Sequence, residues 1–271
     1  MDFSPDEEAP ELAVASGEGV LRLRFDRAAR RNALTRSMMV RLVHHIENAV
    51  DDPELRVIVL DGAGEHFCSG VDLRDVNARS HIKPRTGDIQ RRLPRQAHRL
   101  IPALLNVQLP VVSIVRGVAS GIGAHIAFAS DFIVAGESAR FVEPFVSRGF
   151  SPDSGGTFLL SRLVGLARAR EVLLLGREID SGTAASWDLV HEVVPDARLE
   201  FASGALIDSL RAAPTVALGL TKVMMNRAFD VTADDALSNE AFALELSSRS
   251  KDFKEGMAAF AEKRAPRYRG H

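Results

Sequence analysis

Apolar positions follow two different periods along this chain. Short β-branched runs at residues 57–60 and 111–115 predict buried strands, and residues 20–25 alternate apolar side chains with arginine, which indicates a half-exposed strand. From residue 38 to 50, apolar side chains recur at helical spacing, and Thr35 stands where it can cap that helix. The first part of the chain therefore predicts a mixture of strands and helices.

The pattern becomes helical from residue 155 onward. The predicted helices cover residues 157–164, 167–175, 183–187, 199–211, 214–229, 232–247 and 250–263, with one short strand at 190–194. The chain thus predicts a mixed α/β (α+β) core at residues 13–197 and a helical region at residues 198–271. Residues 1–12 hold five acidic side chains and no basic one, which predicts a disordered, solvated tail.

Composition excludes several classes of function. The chain has 271 residues and a formal net charge of −2, so it has no general attraction to nucleic acid or to an anionic membrane. Its single cysteine, Cys68, excludes an internal disulfide framework and fits a reducing compartment. No apolar run reaches the roughly 18 residues of a membrane span, and the acidic N-terminus lacks the apolar core of a secretory signal. We therefore expect a cytoplasmic protein.

Candidate chemistry is concentrated between residues 110 and 157. A buried strand is followed by the turn Gly121-Ile122-Gly123 and then by an Ala-rich helix start, an arrangement that presents unpaired backbone N–H groups to an anion. A second polar turn, residues 151–157, supplies the acidic side chain of Asp153. An anion cradle beside one acid indicates chemistry that builds negative charge on an oxygen atom.

Common signatures of other enzyme classes are missing from the sequence. Ile126 stands where a dinucleotide-binding fingerprint needs its third glycine, and the chain has neither a P-loop nor a G-x-S-x-G elbow. His191-Glu192 lacks the second histidine of a zinc-binding helix. We therefore expect no metal site.

The sequence instead contains a set of short segments in a fixed order. Residues 67–73, Phe-Cys-Ser-Gly-Val-Asp-Leu, lie about fifty residues before the Gly121 turn, and Pro144, Gly149, Pro152 and Gly155-Gly156-Thr157 follow it. With the Arg-Asn-Ala-Leu loop at 31–34 and the Phe-Ala-Glu-Lys-Arg segment at 260–264, this set resembles the crotonase (enoyl-CoA hydratase/isomerase) superfamily over residues 20–264. The resemblance implies a spiral of β-β-α turns, a C-terminal helical region that packs homotrimers or hexamers, and an acyl-coenzyme A thioester as substrate, without a tightly bound cofactor.

The resemblance also assigns roles to individual residues. The backbone N–H groups of Val71 and Ile122 match the two donors of the family's oxyanion hole, which hold a thioester oxygen as it gains enolate charge. Residues 74–95 are polar and basic without a clear period, and they predict a mobile, partly helical excursion that lines a pocket. The positions that match the substrate and CoA site are Arg30, Arg31, Ala33, Ser69, Gly70, Leu73, Arg74, Gly121, Phe145, Phe260 and Lys263.

Both glutamates that hydratases of this family use are replaced. His125 and Phe145 occupy those two positions, and Glu143, one residue early, would point to the opposite face of a strand. Asp153 stands in a turn where several isomerases of the family place an acid, and one carboxylate suffices to move a double bond. Its alternative role is to cap the helix that begins near Gly155.

The sequence therefore predicts an acyl-CoA enzyme that stabilises a thioester enolate, with isomerase-type proton shuttling by Asp153. Hydratase-like activity, in which His125 and Asp153 replace the glutamates, remains open. A non-catalytic acyl-CoA-binding protein also remains open. For His125 itself, the sequence allows a substrate-orienting group, a second base or a hydrogen-bonded filler of the pocket.

Overall fold

The computed structural model describes residues 2–77, 85–95 and 97–271. The strands are β1 (Ser4–Pro5), β2 (Leu12–Gly17), β3 (Val20–Phe25), β4 (Val57–Gly62), β5 (Val111–Val115), β6 (Val118–Ser120), β7 (Phe132–Gly136), β8 (Arg140–Val142), β9 (Ile179–Asp180) and β10 (Glu192–Val194). The helices are α1 (Arg36–Asn48), α2 (Leu73–Asn77), α3 (Asp88–Arg92), α4 (Ala97–Asn106), α5 (Ile122–Phe128), α6 (Gly156–Leu163), α7 (Gly165–Leu175), α8 (Ser181–Ser186), α9 (Leu199–Arg211), α10 (Thr215–Arg227), α11 (Ala233–Ser247) and α12 (Lys251–Glu262).

Two sheets organise the described part of the chain. The larger has the strand order β1-β2-β3-β4-β5-β7-β10, antiparallel from β1 to β3 and parallel from β3 to β10. The smaller has the order β6-β8-β9 and is held by a parallel and an antiparallel pair. The mixed α/β fold class predicted from the sequence is confirmed.

Helices cover both faces of the larger sheet. On β4, Ile58 and Leu60 join the main core, whereas Val57 and Val59 join a second cluster with Leu199 and other side chains of α9. Successive side chains of a strand point to opposite faces, so a continuous apolar run such as 57–60 needs cover on both. Because α9 supplies that cover, it packs with the sheet. The division of the chain at residue 197 stays a prediction.

The N-terminal segment differs from the predicted disordered tail. Residues 4–5 pair with β2, Ala9 is fully buried, and the carboxylate of Asp6 accepts hydrogen bonds from His45 and Arg41 on α1. The acidic composition did not reveal partners 35 and 39 residues away, so the predicted disorder was wrong. The segment is therefore an edge of the sheet, fastened by one buried carboxylate.

The predicted excursion at residues 74–95 is described only in part. α2 and α3 confirm its partly helical character, and residues 78–84 lie outside the described residues, so its mobility stays a prediction. Across the described ranges, no helix has both the length and the apolar character needed to cross a membrane. The predicted cytoplasmic location stays a prediction.

Candidate functional site

Two loops and one strand meet at the start of α5. Residues 31–34 run beside residues 69–72, joined by hydrogen bonds from Ser69 N to Arg31 O, Leu34 N to Gly70 O and Asp72 N to Leu34 O, each 2.8 or 2.9 Å long. On the other side, Cys68 forms a parallel bridge with Ala119 of β6. The two glycine segments predicted to carry the oxyanion hole therefore lie side by side.

Each candidate donor amide follows a glycine with positive φ. Gly70 has φ +102°, and Gly121 has φ +53° with ψ −123°, conformations that side-chain-bearing residues rarely adopt. Val71 and Ile122 are themselves absent from the described residues with positive φ, so the β-branched Ile122 is not strained at the first position of α5.

Both candidate amides are left without an acceptor. Leu34 forms hydrogen bonds with the carbonyl of Gly70 and the N–H of Asp72, which flank Val71. As in any parallel bridge, the N–H of Val71 itself therefore points away from Leu34. Ile122 opens α5, where backbone N–H groups have no intrahelical acceptor. Within the described ranges, neither N–H has a hydrogen-bond partner.

Arg27 fastens the two loops together. Its guanidinium donates to the carbonyl of Ala33 at 2.6 Å and to the carboxylate of Asp72 at 2.9 Å. Burial disfavours the charged form of Asp72, but hydrogen bonds from Arg27 and from the amides of Arg74 and Asp75 outweigh that effect and lower the pKa of Asp72. Arg27 was not among the residues predicted for the site.

The other CoA candidates lie in two separate places. Arg30, Arg31, Leu73 and Arg74 are exposed beside the loop pair, with Ser69 donating its hydroxyl hydrogen to Arg30 O. Phe260, 83% exposed, and Lys263 lie at the end of α12, and among the described residues no hydrogen bond or ring contact joins them to that loop pair. Within one chain, the structure therefore assembles the first group only.

Phe145 forms an apolar wall beside the glycine turn. Its ring stacks on His125 at 5.8 Å between centroids, meets Phe150 edge-on, and lies 3.6 Å from the point where a Cβ on Gly121 would stand. This places Phe145 beside the Gly121 turn; its contact with the substrate stays a prediction.

His125 is fully buried one turn into α5. Its Nδ1 lies 2.8 Å from the hydroxyl oxygen of Ser154, and its Nε2 lies 2.9 and 3.1 Å from the two carboxylate oxygens of Glu143. The predicted orientation of Glu143, away from the site, was wrong. Because β8 ends at Val142, strand alternation no longer applies at the next residue, and the Glu143 side chain turns inward.

Asp153 lines a cavity and does not cap α6. The N-cap of α6 is Gly155, which makes no side-chain capping bond. The carboxylate of Asp153 accepts a 3.2 Å hydrogen bond from Ser154, and its carbonyl accepts one from His98 of α4 at 2.7 Å. The residue lines a cavity of about 910 Å³. Residues of and around α3, together with Pro152 and Gly155, also line the cavity; Val71 and Ile122 are not among its described lining residues.

Metal and thiol chemistry find no support in the described residues. No group of three or more His, Cys, Asp or Glu side chains there is placed to hold a metal ion. Burial raises the pKa of the Cys68 thiol to about 12, so this group is uncharged at neutral pH.

Comparisons with known proteins agree with this architecture. A solved enoyl-CoA hydratase/isomerase from Cupriavidus metallidurans CH34 superposes with a TM-score of 0.88 at 30% identity, covering 96% of both chains, so the fold is a crotonase fold. A sequence model of the enoyl-CoA hydratase/isomerase family matches residues 15–271. The chain belongs to the enoyl-CoA hydratase/isomerase family of the crotonase superfamily.

Two curated relatives carry different activities in their names. The 1,2-epoxyphenylacetyl-CoA isomerase of Escherichia coli K12 is 36% identical over 256 residues, which cover 93% of this chain and 96% of the relative. The 2,3-dehydroadipyl-CoA hydratase of the same organism is 32% identical over 261 residues, covering 96% and 99%. Membership of the family therefore does not choose between the two kinds of reaction.

Proposed function

We propose that this protein is an acyl-CoA enzyme that moves the double bond of an enoyl thioester, with Asp153 carrying the proton. The observation that carries the proposal is the position of Asp153, which lines a cavity and does not cap α6. The turn that holds it is tied to α5 through the bond between Ser154 and His125, one turn after the Ile122 amide. The name of the E. coli isomerase relative agrees with this choice.

The chemistry needs one carboxylate and two amide donors. With a 3-enoyl thioester, the Asp153 carboxylate removes a proton from C2, and the electron pair moves to the thioester oxygen. The N–H groups of Val71 and Ile122 hold that oxyanion. When the enolate collapses, a C2–C3 double bond forms, C4 receives the proton from Asp153, and the carboxylate is restored.

The surroundings favour isomerisation over hydration. Hydration needs a group that activates water, and the two positions that hydratases of the family use hold Phe145, which cannot transfer a proton, and His125, which is fully buried with both ring nitrogens engaged. The ring of Phe145, which meets Phe150 edge-on, adds an apolar surface beside the Gly121 turn.

The test is a panel of 2-enoyl-CoA and 3-enoyl-CoA substrates, with products separated into isomer and hydrate. We expect the wild type to interconvert the isomers and Asp153→Asn to lose about 10²–10⁴-fold in kcat with nearly unchanged affinity for acyl-CoA. Asp208→Asn, at an exposed position of α9, is the matched control and should retain full activity. Hydrate as the product would establish the hydratase alternative. Binding of acyl-CoA without turnover would establish the non-catalytic acyl-CoA-binding protein. Either result, or unchanged turnover in Asp153→Asn, overturns the proposal.

The CoA end of the substrate is assigned to the loop pair and α2. Arg31 and Arg74 are exposed there, and a guanidinium matches the geometry of a phosphate group. The proposed contacts of Phe260 and Lys263 need a second copy of the chain, because α12 does not bring them to the loops of its own copy.

We propose that the C-terminal helices pack against other copies of the chain in trimers, alone or paired as hexamers. Met225, Leu237, Phe242 and Leu246 on α10 and α11 are each at least 60% exposed. Surface apolar residues in such number mark an interface. Light scattering should give three or six copies per particle, and Phe242→Glu should lower that number.

A further inference from the structure

A continuous hydrogen-bonded chain connects the cavity with a buried acid. It begins at the Asp153 carboxylate, passes through the Ser154 hydroxyl at 3.2 Å and the His125 ring at 2.8 Å, and ends at Glu143 at 2.9 Å. Only Asp153 of these four is not buried: His125 is 0%, Ser154 2% and Glu143 5% exposed. Within this hydrogen-bonded chain, the three buried residues reach the cavity through Asp153.

The donors and acceptors of this chain decide how it is oriented. Ser154 has one hydroxyl hydrogen and donates it to the carboxylate of Asp153, so its oxygen is left as the acceptor toward Nδ1 of His125. Among the described residues, His125 is the only cationic or titratable partner within ion-pair distance of Glu143.

A hydrogen on Nδ1 agrees with two arrangements of the buried pair. If the pair is imidazolium and carboxylate, both ring nitrogens are protonated. If Glu143 is protonated instead, its O–H donates to Nε2, and the hydrogen of neutral His125 is on Nδ1. In either case Nδ1–H donates to Ser154, whose one hydroxyl hydrogen is then directed to Asp153.

We propose that the buried His125–Glu143 pair fixes the Ser154 hydroxyl as a donor to Asp153, and so keeps Asp153 in the ionised form that removes the substrate proton. His125, Glu143 and Ser154 are thus positioning residues. This inference rests on the proposed function for its consequence in turnover, but the orientation of the hydrogen-bonded chain does not depend on it.

The cycle of Asp153 balances without any further proton acceptor. In the resting state, Ser154 donates a hydrogen bond to the carboxylate of Asp153. When Asp153 takes the proton from C2, that hydrogen bond weakens because its acceptor has lost its charge. When the proton passes to C4, the hydrogen bond regains its strength. Among the described residues, Arg85, Asp88 and His98 line the cavity with Asp153, and Glu143 is the titratable group bonded to His125.

The first test measures the protonation of His125 in the unaltered protein by 15N NMR of the histidine rings at pH 7. His125 is assigned by the loss of its signals in His125→Asn or, where that variant does not fold, by through-bond correlation to the backbone. A protonated Nδ1 is expected. An unprotonated Nδ1, which would accept from Ser154, overturns the proposal.

The second test compares Ser154→Ala with Ser154→Thr, which retains the hydroxyl. Loss of the donor leaves the ionised carboxylate less stable, so the acid limb of the kcat/KM pH profile should move up by about one pH unit in Ser154→Ala, equal to about tenfold in rate below the limb. Ser154→Thr should keep the wild-type limb. A uniform loss of rate at all pH values, with the limb unmoved, would assign Ser154 a structural role only and overturn the proposal.

The two tests separate this inference from the proposed function. A wild type that turns over no enoyl-CoA while Nδ1 is protonated overturns the proposed function and leaves the hydrogen-bond orientation supported. An active wild type with unprotonated Nδ1 overturns the inference alone.

Discussion

The carboxylate of Glu143 lies 2.9 Å from Nε2 of His125, although one residue follows β8 and the other belongs to α5. This contact fills the place between the glycine turn and the Asp153 turn with a buried polar pair. The histidine that the sequence resemblance matches to a hydratase glutamate has partners within the protein for both of its ring nitrogens. Asp153 lines the neighbouring cavity, together with Asp88 of α3.

The glycine turn before α5 gives the first prediction. Gly121→Ala should lower kcat about 10²–10³-fold, because a side chain is strained at φ +53°, ψ −123°, and relief of that strain would move the Ile122 amide. Gly149→Ala is the matched control: Gly149 also has positive φ, with open space around an added Cβ, and it precedes no candidate donor. Steady-state kinetics with both variants checks this, and equal activity of the two would contradict the role of the Ile122 amide.

The link that Arg27 makes between residues 31–34 and residues 69–72 gives the second prediction. Arg27→Met removes the bonds to Ala33 O and Asp72, so we expect a loss of about 1–3 kcal/mol in the free energy of unfolding and weaker binding of acyl-CoA. The double variant Arg27→Met, Asp72→Asn should recover part of the stability, since it no longer leaves a carboxylate unpaired. Urea unfolding of the set measures both effects; additive losses would show that the two side chains are not coupled.

Much of the chain could be predicted because its signals are local. The strand at 20–25, the cap at Thr35 and the caps at Thr232 and Ser250 follow from neighbouring residues, and the structure confirms each of them. The glycine segments were recognisable because a positive φ needs glycine at a fixed place in the turn.

The missed features depend on partners distant in sequence. Asp6 has the composition of a tail and is buried only because α1 supplies His45 and Arg41. Glu143 was assigned to the wrong face because the end of β8 cannot be located to one residue from pattern alone. Ser154 gave no sequence signal, and its role depends on the packing of its turn against α5.

The buried carboxylate of Asp6 gives a prediction on pH. Burial opposes its ionisation, but hydrogen bonds from His45, Arg41 and the amide of Glu8 outweigh this and lower the pKa of Asp6 in the folded state. Its stabilising contribution is therefore fully present above the unfolded-state pKa of about 3.9 and is lost as the pH falls through the lower folded value. The stability difference between wild type and Asp6→Asn should shrink in urea unfolding as the pH is lowered from 6 to 3. A difference that stays constant would contradict this.

A buried ion pair fastens α10 to the core. Lys222 lies 2.7 Å from the carboxylate of Asp131 and donates to Leu109 O at 2.9 Å. Lys222→Met leaves that carboxylate buried and unpaired, so we expect a loss of about 3–5 kcal/mol in the free energy of unfolding. The double variant with Asp131→Asn, which still accepts from the Val111 amide, should recover most of it. Equal stability of the single and double variants would show that Asp131 finds another partner.

The central claim is that Asp153 removes a proton from the carbon next to a thioester held by the amides of Val71 and Ile122. Exchange of the α-hydrogens of butanoyl-CoA in D2O, followed by 1H NMR, measures this step alone, because a saturated acyl group can neither isomerise nor be hydrated. We predict that the wild type catalyses the exchange and that Asp153→Asn slows it at least about 10²-fold. Equal exchange in the two proteins, or none in a wild type shown to bind the thioester, would contradict the account.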